Sequence, residues 1–265
     1  DLLGVLDAWR WARQPKGEPA ITESRRWTEG YERIAELAER LPHTRLVSVA
    51  DRESDLRELV DRAAELGHPA DYRLRAKHDR VLAEGGKLRA AVECQAILGE
   101  VEFTVPAAPG RTARTVVQTV RAARVTLARH AGKTREVTVI LAREETPPAG
   151  EKPVEWLLLT NEPITTLDEA VLRIGWYRRR WLAEIFFRII KSGCRVEALQ
   201  LATVERLERA LVIYLVIAWR ILYLMTLGRD CPDRPCDVVF SAEEWRAAWL
   251  MAKRQPPPDA PPPSA

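Results

Sequence analysis

Cysteine and histidine are scarce in this sequence, and those present are widely scattered. The 265 residues include only four cysteines and four histidines. Cys231 and Cys236 are the closest pair, and no companion Cys or His pair completes a zinc-ligand spacing. Scattered thiols are more typical of a reducing cytosol than of a disulfide framework. The sequence therefore argues against a zinc finger and against a disulfide-stabilised secreted domain.

Other features that would define a function are also missing. The sequence contains no glycine-rich phosphate loop, no internal repeat and no assignable Ser-His-Asp set. The formal net charge is only +3, so the molecule as a whole creates no strong electrostatic field. Any affinity for nucleic acid must come from local clusters of basic residues.

The first part of the sequence alternates between strand and helix patterns. The predicted elements are strand 1–11, helix 22–41, strand 44–51, helix 52–67 and strand 70–78. We expect Ser54 to cap the second helix and Gly67 to end it.

The middle of the sequence changes character. Residues 96–160 are rich in Val and Thr and predict antiparallel strands joined by short turns. Helical periodicity returns at Leu167, continues to about Ser192, and covers 203–227. The order of these strands and helices along the chain predicts an α/β fold. Its core is a mixed sheet with flanking helices, interrupted by an antiparallel β insertion.

The apolar run at 211–227 raises the question of a membrane span. It is shorter than the ~20 residues that a span needs, and Arg220 lies near its middle. A charge there costs roughly 2.5–3.5 kcal/mol on insertion scales. We therefore predict a buried core helix and no membrane association.

The segment WYRRRWLAEIFFRIIKSG, residues 176–193, combines an apolar pattern with many charges. On one continuous helix of roughly 100° per residue, five side chains fall within an arc of about 80°. They are Tyr177, Arg180, Glu184, Arg188 and Lys191. One interpretation is a solvated face with i,i+4 salt bridges. The other is a polyanion site in which a lone carboxylate binds a divalent cation beside bases.

Asp51 is the natural second carboxylate for such a site. It ends the predicted strand 44–51, where a side chain can reach the carboxyl edge of a sheet. The alternative is that Asp51 caps a helix or a turn.

The spacing Tyr177-(2)-Arg180-(3)-Glu184-(6)-Lys191 and the string DRES at Asp51 together form a specific pattern. The sequence resembles the DDE transposases of insertion-sequence family four, the group that includes the transposon-five transposase. Four further blocks match in the family's order: ESRRW, LRAKH, WLLLTNEP and CDVVFSAEEW. The resemblance covers essentially the whole chain.

The resemblance implies an RNase H-like catalytic core and metal-dependent phosphoryl transfer on DNA. Asp51 and Glu184 match two carboxylate ligands for Mg²⁺ or Mn²⁺, two ions being expected in the intact enzyme. The implied partners are double-stranded DNA (terminal repeats and target) and a second subunit in a synaptic complex. The implied location is the bacterial cytoplasm, at the nucleoid during action.

The resemblance also assigns DNA contacts. Tyr177, Arg180 and Lys191 match groups that grip the backbone near the scissile phosphate, and Arg188 shares their predicted face. Trp156 matches an aromatic residue that stacks on an extruded base, with a sheet-core role as the alternative. Arg75 and Lys77 resemble further contacts, with an exposed strand end as the alternative.

The sequence departs from the family pattern at its ends. No residue matches the first Asp of the triad, no N-terminal DNA-binding domain is seen, and the Pro-rich end is expected to replace a dimerisation segment. We therefore expect little or no activity from this chain, and the alternative function is an inactive remnant that binds DNA or intact transposase. The predicted divisions are a first core part at 1–78, the β insertion at 79–160, a second core part at 161–228 and a C-terminal segment at 229–265.

Overall fold

The computed structural model describes residues 3–8, 25–105 and 112–259. The chain divides into two compact units. The first unit is Asp7–Arg180, and the second combines Asp1–Leu6 with Trp181–Ala265.

Six strands of the first unit form one mixed sheet. They are β1 (Val47–Ala50), β2 (Asp71–Arg75), β3 (Gly99–Val105), β4 (Arg114–His130), β5 (Lys133–Arg143) and β6 (Glu155–Thr160). Their order is β1-β2-β6-β5-β4-β3. β1 and β2 are parallel, and the other neighbours are antiparallel. The strands predicted as an insertion therefore continue the same sheet, because β6 pairs with β2.

Helices pack on both faces of this sheet. The four helices are α1 (Arg25–Arg40), α2 (Arg57–Glu65), α3 (Leu88–Glu93) and α4 (Leu167–Arg178). The first three contribute Tyr31, Leu59 and Leu88 to one core cluster, and α4 contributes Ile174 and Tyr177 to another.

The central strand β6 explains how the sheet supports two cores. Leu157 and Leu159 belong to the first cluster and Leu158 to the second, because successive side chains of a strand point to opposite faces. A strand buried on both faces needs a continuous apolar run, as in the sequence WLLLT. The predicted α/β class is confirmed, and the curled mixed sheet with flanking helices is consistent with an RNase H-like transposase fold.

The two signals predicted for the second helix had different outcomes. Gly67, with φ of +74°, follows the last turn of α2, as expected for a C-terminal stop. The prediction that Ser54 caps this helix is wrong, because α2 begins at Arg57 after Leu56. Ser54 lies instead in a short 3₁₀ turn, where its Oγ donates to the Asp51 carbonyl at 2.7 Å.

The N-terminal predictions are tested only in part. Residues 3–8 have no regular structure, so they do not form the predicted strand, and the remainder of 1–11 lies outside the described residues. The helix predicted at 22–41 is present as α1, with 22–24 outside the described residues.

The prediction of one continuous helix through 176–191 is wrong. α4 ends at Arg178 and α5 covers Trp181–Arg188. The amides of Arg179 and Arg180 bond to the carbonyls of Trp176 and Tyr177, and this i→i−3 pattern tightens the chain and ends the α-helical register. The common arc of about 80° assumed uninterrupted periodicity, so it no longer follows from the sequence pattern.

In the second unit, a π turn at Ile189–Gly193 follows α5. The remaining helices are α6 (Val204–Asp230) and α7 (Ala242–Lys253). Thr203 caps α6, which matches the predicted helix 203–227.

The burial predicted for α6 is wrong. Seven of its apolar side chains are between 38% and 61% exposed: Val204, Val212, Ile213, Val216, Ile217, Ile221 and Met225. The apolar composition predicted burial, but a long helix needs a packing partner on each apolar face. By length and composition alone, α6 could cross a membrane. One such helix among the described residues is weak evidence for a membrane span. Arg220 in its middle pairs with Glu244 at 3.2 Å.

Candidate functional site

Asp51 lies directly after β1, at the carboxyl end of that strand. Its Oδ1 accepts a hydrogen bond from the Glu53 amide at 3.0 Å, which caps the 3₁₀ turn. Its Oδ2 lies 4.0 Å from Nη1 of Arg180, and the side chain is 39% exposed. Asp51 is therefore a turn cap, as the alternative interpretation held, and it also keeps a carboxylate oxygen beside a guanidinium.

The other two acids of the string following β1 are engaged by arginines. Glu53 pairs with Arg26 at 2.7 Å. Asp55 is buried and pairs with Arg80 at 2.6 Å. Asp51 also faces an arginine, but at 4.0 Å it has the longest ion-pair distance of the three.

Asp55 organises the segment that follows β2, a role that the sequence analysis missed. Its Oδ2 accepts hydrogen bonds from the backbone amides of Lys77 and His78, at 2.7 and 2.9 Å. Its Oδ1 accepts from Nη2 and Nε of Arg80 at 2.6 and 3.1 Å. One buried carboxylate therefore ties the turn that carries Asp51 to the segment that carries Lys77.

Arg75 and Lys77 lie where the strand pattern predicted, at the end of β2 and just beyond it. Nη2 of Arg75 donates to the Glu155 carbonyl of the neighbouring β6 at 3.3 Å. Lys77 is exposed. Both cations are therefore at the same sheet edge as Asp51, because β1 and β2 are parallel.

Trp156 lies on β6 and is half-buried. Its ring stacks on Phe103 of β3, with centroids 5.4 Å apart and planes inclined by 18°. The indole also packs against the second core cluster. The sheet-core alternative accounts for one side of the ring, and the remainder borders a cavity lined by Arg75 and Glu155 among others.

Tyr177 lies in the last turn of α4, and Arg180 lies two residues beyond the end of this helix. The N-terminus of this helix is fixed by a capping box between Thr166 and Glu169. Tyr177 is only 5% exposed and belongs to the second core cluster. It does not lie on a solvated charged face, in contrast to what a continuous helix predicted.

A buried ionic cluster fixes α4 to the sheet, and its members also escaped the sequence analysis. Glu162 pairs with Arg73 of β2 and, at 2.8 Å, with Arg173 of α4. Arg73 is fully buried. The guanidiniums of Arg73 and Arg173 lie 5.4 and 5.6 Å from the ring centroid of Trp176, a distance typical of cation–π contacts.

In the second unit, Glu184 and Arg188 lie on α5, one helical turn apart. Lys191 lies in the π turn, where its Nζ is 3.3 Å from Oε1 of Glu197. Glu184 and Asp51 belong to different units, so their convergence on one ion stays a prediction.

Among the described residues, no group of three or more His, Cys, Asp or Glu side chains is arranged to hold a metal ion. Asp51 fits such an ion as a single oxygen ligand, because hard divalent cations prefer carboxylates and Asp51 is partly exposed.

Comparison with known families gives two matches. The family described as Transposase DDE domain matches residues 29–220, more than half of the chain. The family described as Transposase Tn5 dimerisation domain matches residues 216–263. The expectation that the C-terminal region lacks a dimerisation segment is therefore wrong. The fold and these two matches together assign the chain to the DDE transposases of the Tn5 type, a family of enzymes that catalyse phosphoryl transfer on DNA.

Proposed function

We propose that this transposase acts in metal-dependent DNA strand cleavage and strand transfer at transposon ends. Asp51 and Glu184 would hold Mg²⁺ or Mn²⁺ through their carboxylates, with two ions in the complete site. A bound ion supplies Lewis-acid stabilisation of the phosphoryl group and an activated water or 3′-hydroxyl. The observation that carries this proposal is the family match over 29–220, which spans both carboxylates.

The geometry around Asp51 supports its part in the proposal. Oδ1 is fixed by the Glu53 amide, so the carboxylate is oriented while Oδ2 remains directed toward Arg180. A guanidinium next to a metal-binding carboxylate suits a phosphate that must contact both. Arg180 would therefore orient the scissile phosphate beside Asp51.

The remaining proposed DNA contacts differ in exposure. Arg188, Lys191 and Lys77 are exposed, so a phosphate can reach them directly. Trp156 and Arg75 border one cavity. Tyr177 is buried, so its proposed contact with DNA requires the strand to reach the very end of α4.

Strand cleavage should depend strictly on the metal ion. We expect the 265-residue chain to nick supercoiled DNA carrying candidate terminal repeats only when Mn²⁺ or Mg²⁺ is present, and slowly, because just two carboxylates of the triad are assigned. Glu184→Gln should abolish this nicking. Cleavage that persists in EDTA or in Glu184→Gln would refute the proposed chemistry, and no cleavage under any condition would favour the alternative of an inactive DNA-binding remnant.

We also propose that the chain forms a homodimer through the C-terminal part of α6 and the segment that follows. The dimerisation-domain match begins at residue 216. Val216 and Ile217, 58% and 41% exposed, lie in this region on a helix rich in exposed apolar side chains. Burying such a surface against a second copy would remove apolar area from water. The same contact would allow association with an intact transposase.

Changing Val216 to Lys should weaken dimerisation at least about tenfold, because a lysine at an apolar interface must be desolvated. Sedimentation velocity over a range of concentrations measures the change. Val117→Lys is the matched control, since Val117 is 43% exposed on β4 outside the matched segment. A wild-type chain that is monomeric at all concentrations, or equal weakening by Val117→Lys, would contradict the proposed interface.

A protein that acts on transposon DNA is expected at the bacterial nucleoid, in the cytoplasm. This location follows from the proposed function and agrees with the scattered positions of the four cysteines in the sequence.

A further inference from the structure

A cavity of about 380 Å³ lies in the first unit beside the last residue of β2. It is lined by side chains of Arg52, Arg75, Lys152, Glu155 and Trp156 and by residues 153–154. Arg52 directly follows Asp51, whereas Lys152 lies in the turn between β5 and β6. Two cations that no sequence motif connects are thus brought to one place by the sheet.

The negative charge in this cavity is already neutralised from outside it. Glu155 accepts two hydrogen bonds from the guanidinium of Arg89, at 2.6 and 2.9 Å. These bonds hold the pKa of Glu155 below its usual range, against the opposite effect of burial. A bidentate pair of this kind is among the strongest charge-assisted contacts in proteins. The charge of Glu155 is therefore balanced mainly by Arg89 from outside the cavity, with a smaller electrostatic contribution from Arg52.

The three cations have no ion pair within the part of the chain that the structure describes. Arg52, Arg75 and Lys152 have no carboxylate oxygen within 4.0 Å there, and Arg75 donates only to the Glu155 carbonyl. Most other arginines of this sheet unit are paired, as Arg80 is with Asp55 and Arg114 with Glu144. Three cations without an ion pair therefore meet at this one cavity.

A second cavity of the same unit shows the contrast. It measures about 310 Å³ and is lined by acids and bases together. Lys133 pairs with Glu65 at 2.8 Å, and His130 contacts Asp61 at 3.1 Å. That cavity is internally compensated, so it has no excess charge for an anionic ligand.

We propose that Arg52 and Lys152, together with Arg75, bind a backbone phosphate of the DNA strand in the first cavity. Lys152 lies outside the motifs that identified the family, and Arg52 lies in the DRES string, where no role was assigned to it. This inference therefore adds two residues to the proposed DNA interface and rests on the proposed function. Clustered cations attract the phosphodiester backbone by releasing its counterions. The fixed ring of Trp156 supplies an apolar wall beside them.

The test is the salt dependence of DNA binding in EDTA, measured by fluorescence anisotropy of a labelled duplex with the full chain. The slope of log K against log salt changes by about 0.9 for each phosphate contact. Arg52→Ala and Lys152→Ala should each reduce the slope by about one and weaken binding roughly 5–10-fold near 0.1 M salt. Because both side chains are exposed, neither substitution should prevent folding, and circular dichroism verifies this.

Lys133→Ala is the matched control, since Lys133 is exposed but already paired with Glu65. It should leave the slope unchanged. Equal effects of Lys133→Ala and Lys152→Ala would indicate diffuse electrostatic attraction and overturn the proposal, as would an unchanged slope in Arg52→Ala and Lys152→Ala. The proposal would also be overturned if inorganic phosphate, at the same concentration as the duplex, displaced the duplex from the protein. That result would assign the cavity to a free anion.

These outcomes are separable from failure of the proposed function. Binding in EDTA does not involve the metal, so the slope tests the phosphate contact independently of the metal chemistry. Suppose that Lys152→Ala reduces the salt slope by about one and that cleavage nevertheless proceeds without metal. These two results together would refute the metal chemistry and support the phosphate contact.

Discussion

Replacing Asp51 with Asn should abolish iron-mediated cleavage of the polypeptide at two distant positions. Fe²⁺ can substitute for Mg²⁺ at an oxygen-ligand site, and with ascorbate and peroxide it generates radicals that cut the backbone nearby. We expect the wild-type chain to be cut near residues 51 and 184, because the proposed ion is shared by the carboxylates of Asp51 and Glu184. Removing either carboxylate should eliminate both cuts, because the remaining carboxylate no longer holds the shared ion.

Glu53→Gln is the control for this experiment. Glu53 is only two residues from Asp51, is 63% exposed and pairs with Arg26, so its loss should leave both cuts in place. If Asp51→Asn removed only the cut near residue 51, the two carboxylates would bind separate ions or none in common. That result would contradict a shared site even if the protein still bound metal. Mass spectrometry of the fragments identifies the cut positions.

Replacing Asp55 with Ala should lower the free energy of unfolding by about 3–5 kcal/mol, the range for breaking one side of a buried ion pair. The substitution leaves Arg80, whose side chain is 17% exposed, without its carboxylate. It also leaves the amides of Lys77 and His78 without their acceptor, and unsatisfied buried donors carry a desolvation penalty. Urea denaturation followed by circular dichroism measures the change.

Two further variants make the Asp55 prediction specific. Asp55→Asn keeps the shape and an acceptor oxygen but loses the charge, so it should be less destabilising than Asp55→Ala. Glu53→Gln, in the same turn but exposed, should cost less than about 1 kcal/mol. A loss in Asp55→Ala no larger than that of Glu53→Gln would contradict the role of Asp55 as the link between the two segments.

The sequence predicted those features that depend on local periodicity or on a single backbone conformation. The strand patterns at 44–51 and 70–78 located β1 and β2, the Val- and Thr-rich block located the antiparallel strands, and Gly67 marked the end of α2. Each of these signals is contained within a few residues, so no knowledge of the tertiary fold was needed.

Features that depend on partners distant in sequence were missed. Asp55 acts through Arg80, 25 residues away, and Thr160 accepts a bond from Arg73 across 87 residues. The interruption between α4 and α5 was hidden because apolar residues continue at helical spacing on both sides of it. Tyr177 was placed on a solvated face by that same spacing, whereas the sheet buries it.

The apolar run of α6 shows the opposite error. Its composition predicted burial within this chain, but its side chains at 212, 213 and 216 are among the exposed apolar residues. An apolar composition predicts that a helix surface is buried, but it does not identify the element or subunit that packs against it. The dimerisation-domain match over 216–263 offers a second copy as the cover.

The central claim is that Asp51 and Glu184 ligate one divalent site beside Arg180. The most direct measurement is a crystal structure of the chain with Mn²⁺ and a DNA end, with the ion located by anomalous scattering. We predict carboxylate oxygens of both residues about 2.0–2.6 Å from manganese, the range for hard divalent cations and oxygen ligands. Manganese bound elsewhere, or the two carboxylates more than about 10 Å apart in that complex, beyond the reach of shared or adjacent ions, would contradict the account.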